Sequence, residues 1–230
     1  MARSPRFFAP SLPASGIVSL DEGESAHAAR VLRLRAGDAV TLLDGQGAVA
    51  EAQIVDAHPK ETSCQILSRR QEEKLTPEIT VYSALPKGCA EEMVDQLAQL
   101  GCDRFVPLAC TRSVVEAKDN KLERFRKTAK EASKQAIRAW VMEVGEPVNF
   151  KKALVEAKGL RLIADPRGAA CARRADISEI SVLIGPEGGF TDEELQQAQA
   201  AGFILWKFAP FVLRIETAAV GAVAVLRAEP

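Results

Sequence analysis

Histidine is scarce in this chain: His27 and His58 are the only two, and they stand far apart in sequence. A transition-metal centre draws several His or Cys ligands at close spacing, so no metal is expected. The five cysteines (Cys64, Cys89, Cys102, Cys110, Cys171) are odd in number and include no Cys-x-x-Cys pair. That pattern fits reduced thiols in a cytoplasmic protein and argues against a disulfide framework or a zinc site. The longest apolar stretch near the C-terminus, Ala218 to Leu226, is interrupted by Gly221 and falls well short of the ~20 residues a bilayer-spanning helix needs. The N-terminus carries arginines but no hydrophobic signal core, so no export signal is expected. Neither charge sign dominates: 30 Lys and Arg stand against 31 Asp and Glu. Any surface for nucleic acid must then be a local patch. Internal repeats and low-complexity segments are also missing. No Gly-x-Gly-x-x-Gly follows an early strand, which weighs against a nucleotide-dependent oxidoreductase.

What is there falls into two halves. The first seventy or so residues contain short β-like runs at Val40 to Leu43, Val49 to Val55 and Thr62 to Leu67. Between the first two lies Asp44-Gly45, a hairpin signal. Glu24 to Leu32 reads as a short helix, and the half as a whole as a small barrel. The charged, proline-containing run from Arg69 to Pro77 is the best linker. From Ile79 onward, strands and helices alternate. Ile79 to Leu85, Phe105 to Leu108, Leu160 to Ala164, Val182 to Ile184 and Phe203 to Trp206 read as strands. Met93, Leu97 and Leu100 share one face of a helix that stops at Gly101. Leu122, Phe125, Ala129, Ala132 and Ala136 repeat at helical spacing along a longer one, and Arg214 to Leu226 reads as a closing helix. Such alternation implies an α/β fold with a mostly parallel sheet and ligands at the carboxyl ends of its strands.

Two motifs carry the chemistry. In Ile184-Gly185-Pro186-Glu187-Gly188-Gly189-Phe190, a glycine-rich turn links a strand to a helix start. Thr191 and Glu194 there have the spacing of a capping box. Glycines at a strand's carboxyl end allow positive φ and let backbone groups approach a ligand. Alone, this run suits either an ordinary tight turn or a ligand loop. The second motif, Leu213-Arg214-Ile215-Glu216-Thr217-Ala218, favours the ligand loop.

Together these motifs resemble the RsmE family of SPOUT-class RNA methyltransferases, which methylate N3 of a uridine in small-subunit ribosomal RNA. The likeness extends to His27-Ala28-Ala29-Arg30-Val31-Leu32-Arg33, Asp44-Gly45, Lys87-Gly88, Leu100-Gly101 ahead of Pro107, Arg112-Ser113, and Gln135 to Arg138. Their order and spacing make it specific. The resemblance implies a PUA-like RNA-binding β-barrel over residues 1–72 and a SPOUT-type α/β domain with a deep trefoil knot over 76–230. It further implies S-adenosylmethionine as methyl donor, ribosomal RNA or the small ribosomal subunit as partner, and a homodimer in which the partner chain completes each site.

By the same resemblance, donor-binding candidates are Ala164, Ile184, Gly185, Glu187, Gly188, Phe208, Ala209, Val212 and Leu213; plain core packing is the other reading of Leu213. Where the family usually has Leu-Gly-Pro-Arg, this chain reads Phe208-Ala209-Pro210-Phe211. Ala209 adds a methyl where close backbone approach is expected, and Phe211 removes a cation. Catalytic candidates are Arg214, Glu216 and Arg138, since N3 of uridine must lose a proton or be favoured as an anion. Glu216 reads equally as an N-terminal helix carboxylate. RNA-binding candidates are Arg30, Arg33, Lys87, Arg112, Lys134, Gln135 and Arg138, with Arg35 and Trp140 beside them; for Trp140 a place at a core edge competes with base stacking. Between Arg112 and Arg138 the cations also include Lys118, Lys121, Arg124, Arg126, Lys127 and Lys130, against only Glu116, Asp119, Glu123 and Glu131. That imbalance favours phosphate contact over a merely solvated face. Lys134, Ile137 and Ala139 depart from the family's Glu-Gln-Ser-Gly-Arg-Asn. The competing function is a non-catalytic RNA-binding or ribosome-assembly factor that keeps the fold, which the departures at Ala209 and Lys134 keep open.

Overall fold

The computed structural model describes residues 4–115, 119–170 and 176–228; Glu116, Lys118 and Cys171 lie outside these. The chain divides into two compact units, Met1–Lys74 with Ala136–Val141, and Leu75–Gln135 with Met142–Pro230. The second unit is thus not one contiguous span of 76–230, because six residues of it belong with the first.

In the first unit, β1 (Arg6–Phe8), β2 (Gly16–Ser19), β3 (Ala39–Leu43), β4 (Ala48–Ala57) and β5 (Thr62–Gln71) form one sheet in the order β1-β3-β4-β5-β2. Only β1 and β3 pair in parallel; the other neighbours are antiparallel. Phe7, Val18, Val40, Leu42, Ala52, Ile54, Cys64 and Ile66, from all five strands, share one apolar cluster. Register shifts where β4 meets β5 bend the sheet enough for that. Burial in this cluster raises the Cys64 thiol to about 11. β5 runs on through Arg69, Arg70 and Gln71, so the start of the expected linker is strand and residues 72–77 make the connection to the next strand. The helix expected over Glu24 to Leu32 is a short α1 (Glu22–Ala26), capped by Asp21, that widens into a π turn at His27–Val31. This turn leaves Arg30, Val31 and Arg33 exposed, with Arg33 at φ 54.

Ala136–Val141 is fixed to this unit by Trp140. Its indole donates to the Glu72 carbonyl at 2.9 Å, Lys74 lies over its ring, and residue 140 forms an antiparallel bridge with Gln46. A Cβ on Gly47 would stand 2.6 Å from the indole, so glycine is required there. Of the two readings of Trp140, the structure shows the core edge.

The second unit is a sheet of parallel strands: β6 (Glu78–Ser83), β7 (Arg104–Ala109), β8 (Glu143–Val144), β9 (Val148–Asn149), β10 (Leu160–Ala169), β11 (Glu179–Ile184) and β12 (Ile204–Trp206), in the order β12-β10-β11-β6-β7-β8, with β9 also on β7. Successive residues point to opposite faces. Val81, Leu162 and Val182 enter the cluster with α2 (Ala90–Gln99), α3 (Asp119–Gln135) and α6 (Ile215–Ala228). Tyr82, Ile163 and Leu183 enter the cluster with α4 (Phe150–Glu156) and α5 (Asp192–Ala200). Both faces are therefore covered, and the strands read as continuous apolar runs. The expected capping box is present: Thr191 Oγ1 accepts from Glu194 N, and Glu194 Oε2 accepts from Thr191 N. α3 stops one residue short of Ala136. Ile137 stands at φ 62, a left-handed conformation that ends the helix and that β-branched residues rarely adopt.

Candidate donor-binding site

Strands β10, β11 and β12 are neighbours, and the segments leaving their carboxyl ends enclose a hollow of about 730 Å³ counted to its open mouth. Ala164, Asp165 and Pro166 come from β10; Ile184, Gly185, Pro186, Glu187, Gly189 and Phe190 from β11 and its loop. Trp206, Lys207, Phe208, Ala209, Phe211, Val212 and Leu213 come from β12 and the segment beyond, and Ile215 and Ala218 from α6.

Local chemistry explains the shape. Gly185 lets the Phe190 ring close over it, since a Cβ there would meet the ring at 2.9 Å. Gly189 takes φ +66, and its amide closes a turn on the Pro186 carbonyl at 2.8 Å. A bulge in β10 after Ala164 shifts its register against Trp206. Trp206 and Phe208 stack at 4.5 Å between centroids, and Phe208 leans on Gly221 of α6. Asp165 is buried with Arg167 clasped to it, and Arg167 also reaches Asp192 at 2.7 Å. Burial pushes the Asp165 carboxyl up, but side-chain and backbone hydrogen bonds from Arg167 outweigh it and hold it below its ordinary value. The ionisable lining is then two carboxylates, Asp165 and Glu187, against one ammonium, Lys207.

Eight of the nine donor candidates line this hollow: Ala164, Ile184, Gly185, Glu187, Phe208, Ala209, Val212 and Leu213. Gly188 does not, and its carbonyl instead accepts from Arg112 Nη1 at 2.6 Å. Asp165, Phe190, Trp206 and Lys207 were not among the candidates. Asp165 and Lys207 could have been read as the polar residues directly following apolar strand ends.

Arg214 is exposed and Glu216 half-buried, on either side of Ile215. Both act on Cys89, whose thiol is raised by loss of water, by Glu216 and by Glu92, with Arg214 pulling the other way. The Lys87-Gly88-Cys89 loop after β6 is therefore a neighbour of the Leu213 to Ala218 motif, and Lys87 is exposed there. Arg138 belongs to the first unit, as do the exposed Arg30 and Arg33. Lys134 is tucked in, its side chain 11% exposed and paired with Glu131 at 3.2 Å, whereas Gln135 is exposed.

The excess charge on α3 is smaller than its sequence suggests. Arg124 pairs with Glu91, and Arg126 reaches Glu146 at 2.6 Å as well as Glu123 at 2.9 Å. Two of these carboxylates come from outside the helix, so a count along α3 misses them.

A family model for an RNA methyltransferase domain matches residues 72–227, and one for an RNA methyltransferase PUA domain matches residues 20–67. The ribosomal RNA small subunit methyltransferase E of Synechocystis is 32% identical over 231 residues, covering 96% of this chain and 76% of its own. The chain belongs to the RsmE family of RNA methyltransferases. The Mycobacterium bovis RsmE protein is 31% identical over 238 residues, covering 96% of this chain and 91% of its own. Two solved structures extend the RsmE likeness across both units. A Legionella pneumophila methyltransferase in complex with S-adenosylmethionine has a TM-score of 0.89 at 28% identity, covering 99% of this chain and 98% of its own. The Neisseria gonorrhoeae ribosomal RNA small subunit methyltransferase E, bound to S-adenosylmethionine, has a TM-score of 0.88 at 27% identity, covering 98% and 97%.

Proposed function

We propose that this protein transfers the methyl group of S-adenosylmethionine to N3 of a uridine in small-subunit (16S) ribosomal RNA. The observation that carries the proposal is the hollow at the carboxyl ends of β10, β11 and β12, in a chain of a family with relatives solved holding that donor. Its lining fits the molecule. Phe208, Leu213, Ile184 and Ala218 offer apolar flanks for a planar base, and Glu187 with Lys207 suits a ligand that carries a sulfonium, an ammonium and a carboxylate, Asp165 being already paired with Arg167. When bound, S-adenosylmethionine supplies an electrophilic methyl on a positively charged sulfur.

The remaining requirement is a nucleophile with a free lone pair, held in line. N3 of uridine keeps its proton at neutral pH. Half-buried Glu216, in the first turn of α6, is the proposed base, and the exposed Arg214 guanidinium is the proposed cation for the uridine anion. Arg138 enters as a further stabilising cation by family resemblance alone. Arg30, Arg33, Lys87 and Gln135, all exposed, are the proposed RNA contacts.

A trefoil knot is part of the same reading. β12 and α6 are consecutive, yet β12 is at one edge of the sheet while α6 lies against α2, β6 and β11, a return path that suits a knot. A homodimer would cover Phe211 and Val212, which are 81% and 82% exposed. A ribosomal substrate favours the cytoplasm.

Mass spectrometry of 16S ribosomal RNA from a strain lacking the protein tests the function. One 3-methyluridine disappears and returns on complementation; retention of every methyluridine overturns the proposal. The non-catalytic reading is favoured by one observation, the Ala209 methyl in the wall of the hollow. Calorimetric titration with S-adenosylmethionine decides that point, because absence of heat at high ligand concentration would support the non-catalytic factor.

A further inference from the structure

We propose that Arg112 is a positioning residue for the donor pocket, fixing the glycine-rich loop through the Gly188 carbonyl instead of contacting RNA. The inference rests on the methyltransferase reading of the hollow and assigns part of that pocket to a loop the hollow itself does not touch.

The turn after β11 places Gly188 beside Gly189, two residues with the widest backbone freedom. Such a pair does not hold a binding wall in one shape by its own torsions, and its ordering must come from neighbours. Against Gly188 lies Arg112, in the connection between β7 and α3, and neither residue lines the hollow. Its Nη1 donates to the Gly188 oxygen at 2.6 Å, a charge-assisted bond of the stronger kind. Its stem lies along the glycine as well, because a Cβ built at 188 would stand 3.2 Å from Arg112 Cδ and 3.5 Å from its Cβ.

Arg112 can act as an anchor because its own loop is bolted down. Thr111 donates both its amide and its hydroxyl to Glu194 Oε1, at 2.9 and 3.0 Å. The other oxygen of that carboxylate accepts the Thr191 amide in the capping box of α5. Glu194 is only 5% exposed. Behind Thr111, Cys110 and Ser113 exchange bonds at 2.9 and 3.0 Å and close a small turn that aims Arg112 outward. Burial, with Glu194 nearby, raises the Cys110 thiol to about 12, so it stays a neutral thiol in this turn. One arm from the β7–α3 connection thus grips the turn at Gly188 and another grips its far end at Thr191 and Glu194. Arg112 is exposed and cationic, the pattern of a phosphate contact, but its guanidinium already has a partner 76 residues away in sequence.

Arg112→Met keeps most of the stem and removes the guanidinium. Titration calorimetry without RNA is expected to give a dissociation constant for S-adenosylmethionine raised about tenfold, the scale of one charge-assisted hydrogen bond. Filter binding of a 16S helix fragment without donor is expected to stay within about twofold of wild type, since one phosphate contact would cost more than that. Amide exchange at Gly188 to Phe190 should quicken in the donor-free protein, and Arg112→Lys, which can still donate to the carbonyl, should recover part of the donor affinity. Weakened RNA binding with unchanged donor affinity overturns the proposal in favour of a phosphate contact. Should Arg112→Met not fold, Gly188→Ala displaces the same stem, and unchanged donor affinity there also overturns it. Failure of the wild-type protein to bind S-adenosylmethionine would instead strike the methyltransferase reading, and the exchange rates would still report on the Arg112 bond.

Discussion

Arg227, in the last turn of α6, donates through Nη2 to Asp103 Oδ2 at 2.7 Å, and the two side chains are 14% and 8% exposed. The same guanidinium reaches the Gly101 and Pro77 carbonyls, while Asp103 accepts the Ile79 amide at the start of β6. One cation therefore ties the C-terminal helix to the start of β6 and the turn before β7. Arg227→Met removes a buried ion pair from Asp103 and should destabilise the protein by about 3–5 kcal/mol. Arg124→Ala, which breaks the exposed pair with Glu91, should cost about 1 kcal/mol or less. Urea unfolding midpoints of the two variants measure the contrast.

What the sequence made legible is what short-range rules govern. The capping box of Thr191 and Glu194, the apolar runs of β6, β10 and β11, and the glycine-rich turn depend on neighbours within a few residues, and each is where it was expected. β1, a three-residue strand paired in parallel with β3, and α4, a seven-residue helix, are too short to show a period. Long-range pairings are silent as well. Nothing local announces that Arg112 meets Gly188, that Glu91 and Glu146 neutralise arginines of α3, or that Trp140 is fixed to Glu72.

Ile137 offers a separate test on stability. It stands at φ 62 just after α3, the left-handed position at which helices favour glycine, and its side chain is 41% exposed. The family pattern has glycine there. Ile137→Gly should relieve strain and stabilise the protein by about 1 kcal/mol. An unchanged or lower urea midpoint would show that packing of the isoleucine compensates.

Asp165 supplies a pH dependence. Its folded value lies below the ordinary 3.8, so it binds a proton less readily when folded. Its stabilising contribution is fully present above the unfolded value and is lost as pH falls through the lower folded one. The stability difference between wild type and Asp165→Asn should therefore be constant near neutrality and shrink as the pH falls below the ordinary 3.8. Denaturation midpoints of both proteins over that range give the difference directly, and a gap that persists at the acid end would deny Asp165 its ionised role.

Lys121 and Lys127 are cations of α3 for which no ion pair is found among the described residues. They are the stronger candidates for phosphate contact on that helix, because Arg124 and Arg126 already face carboxylates. Replacing both lysines with Gln should lower the slope of log affinity against log salt by about 1–2, roughly one unit for each phosphate no longer neutralised. The same change at Arg124 and Arg126 should lower it less. Fluorescence anisotropy of a labelled 16S fragment over a salt series makes the comparison.

Arg214 and the hollow separate binding from chemistry. Leu213 and Ile215 line the hollow proposed to hold the donor, whereas Arg214 between them is exposed and does not. A group so placed can act on the acceptor base without touching the donor, so its removal should appear in turnover and leave donor affinity intact. Arg214→Ala should lower kcat about 100-fold or more, in line with losing one charge that stabilises a developing anion. The dissociation constant for S-adenosylmethionine should change by less than about threefold. Raising the pH should partly rescue the variant, because deprotonation of uridine N3 by solvent then replaces what the guanidinium favoured. Single-turnover rates from about pH 7 to pH 9 beside calorimetric donor titrations test both parts. A large rise in the donor dissociation constant at unchanged kcat would move Arg214 from the catalytic step to the wall of the pocket.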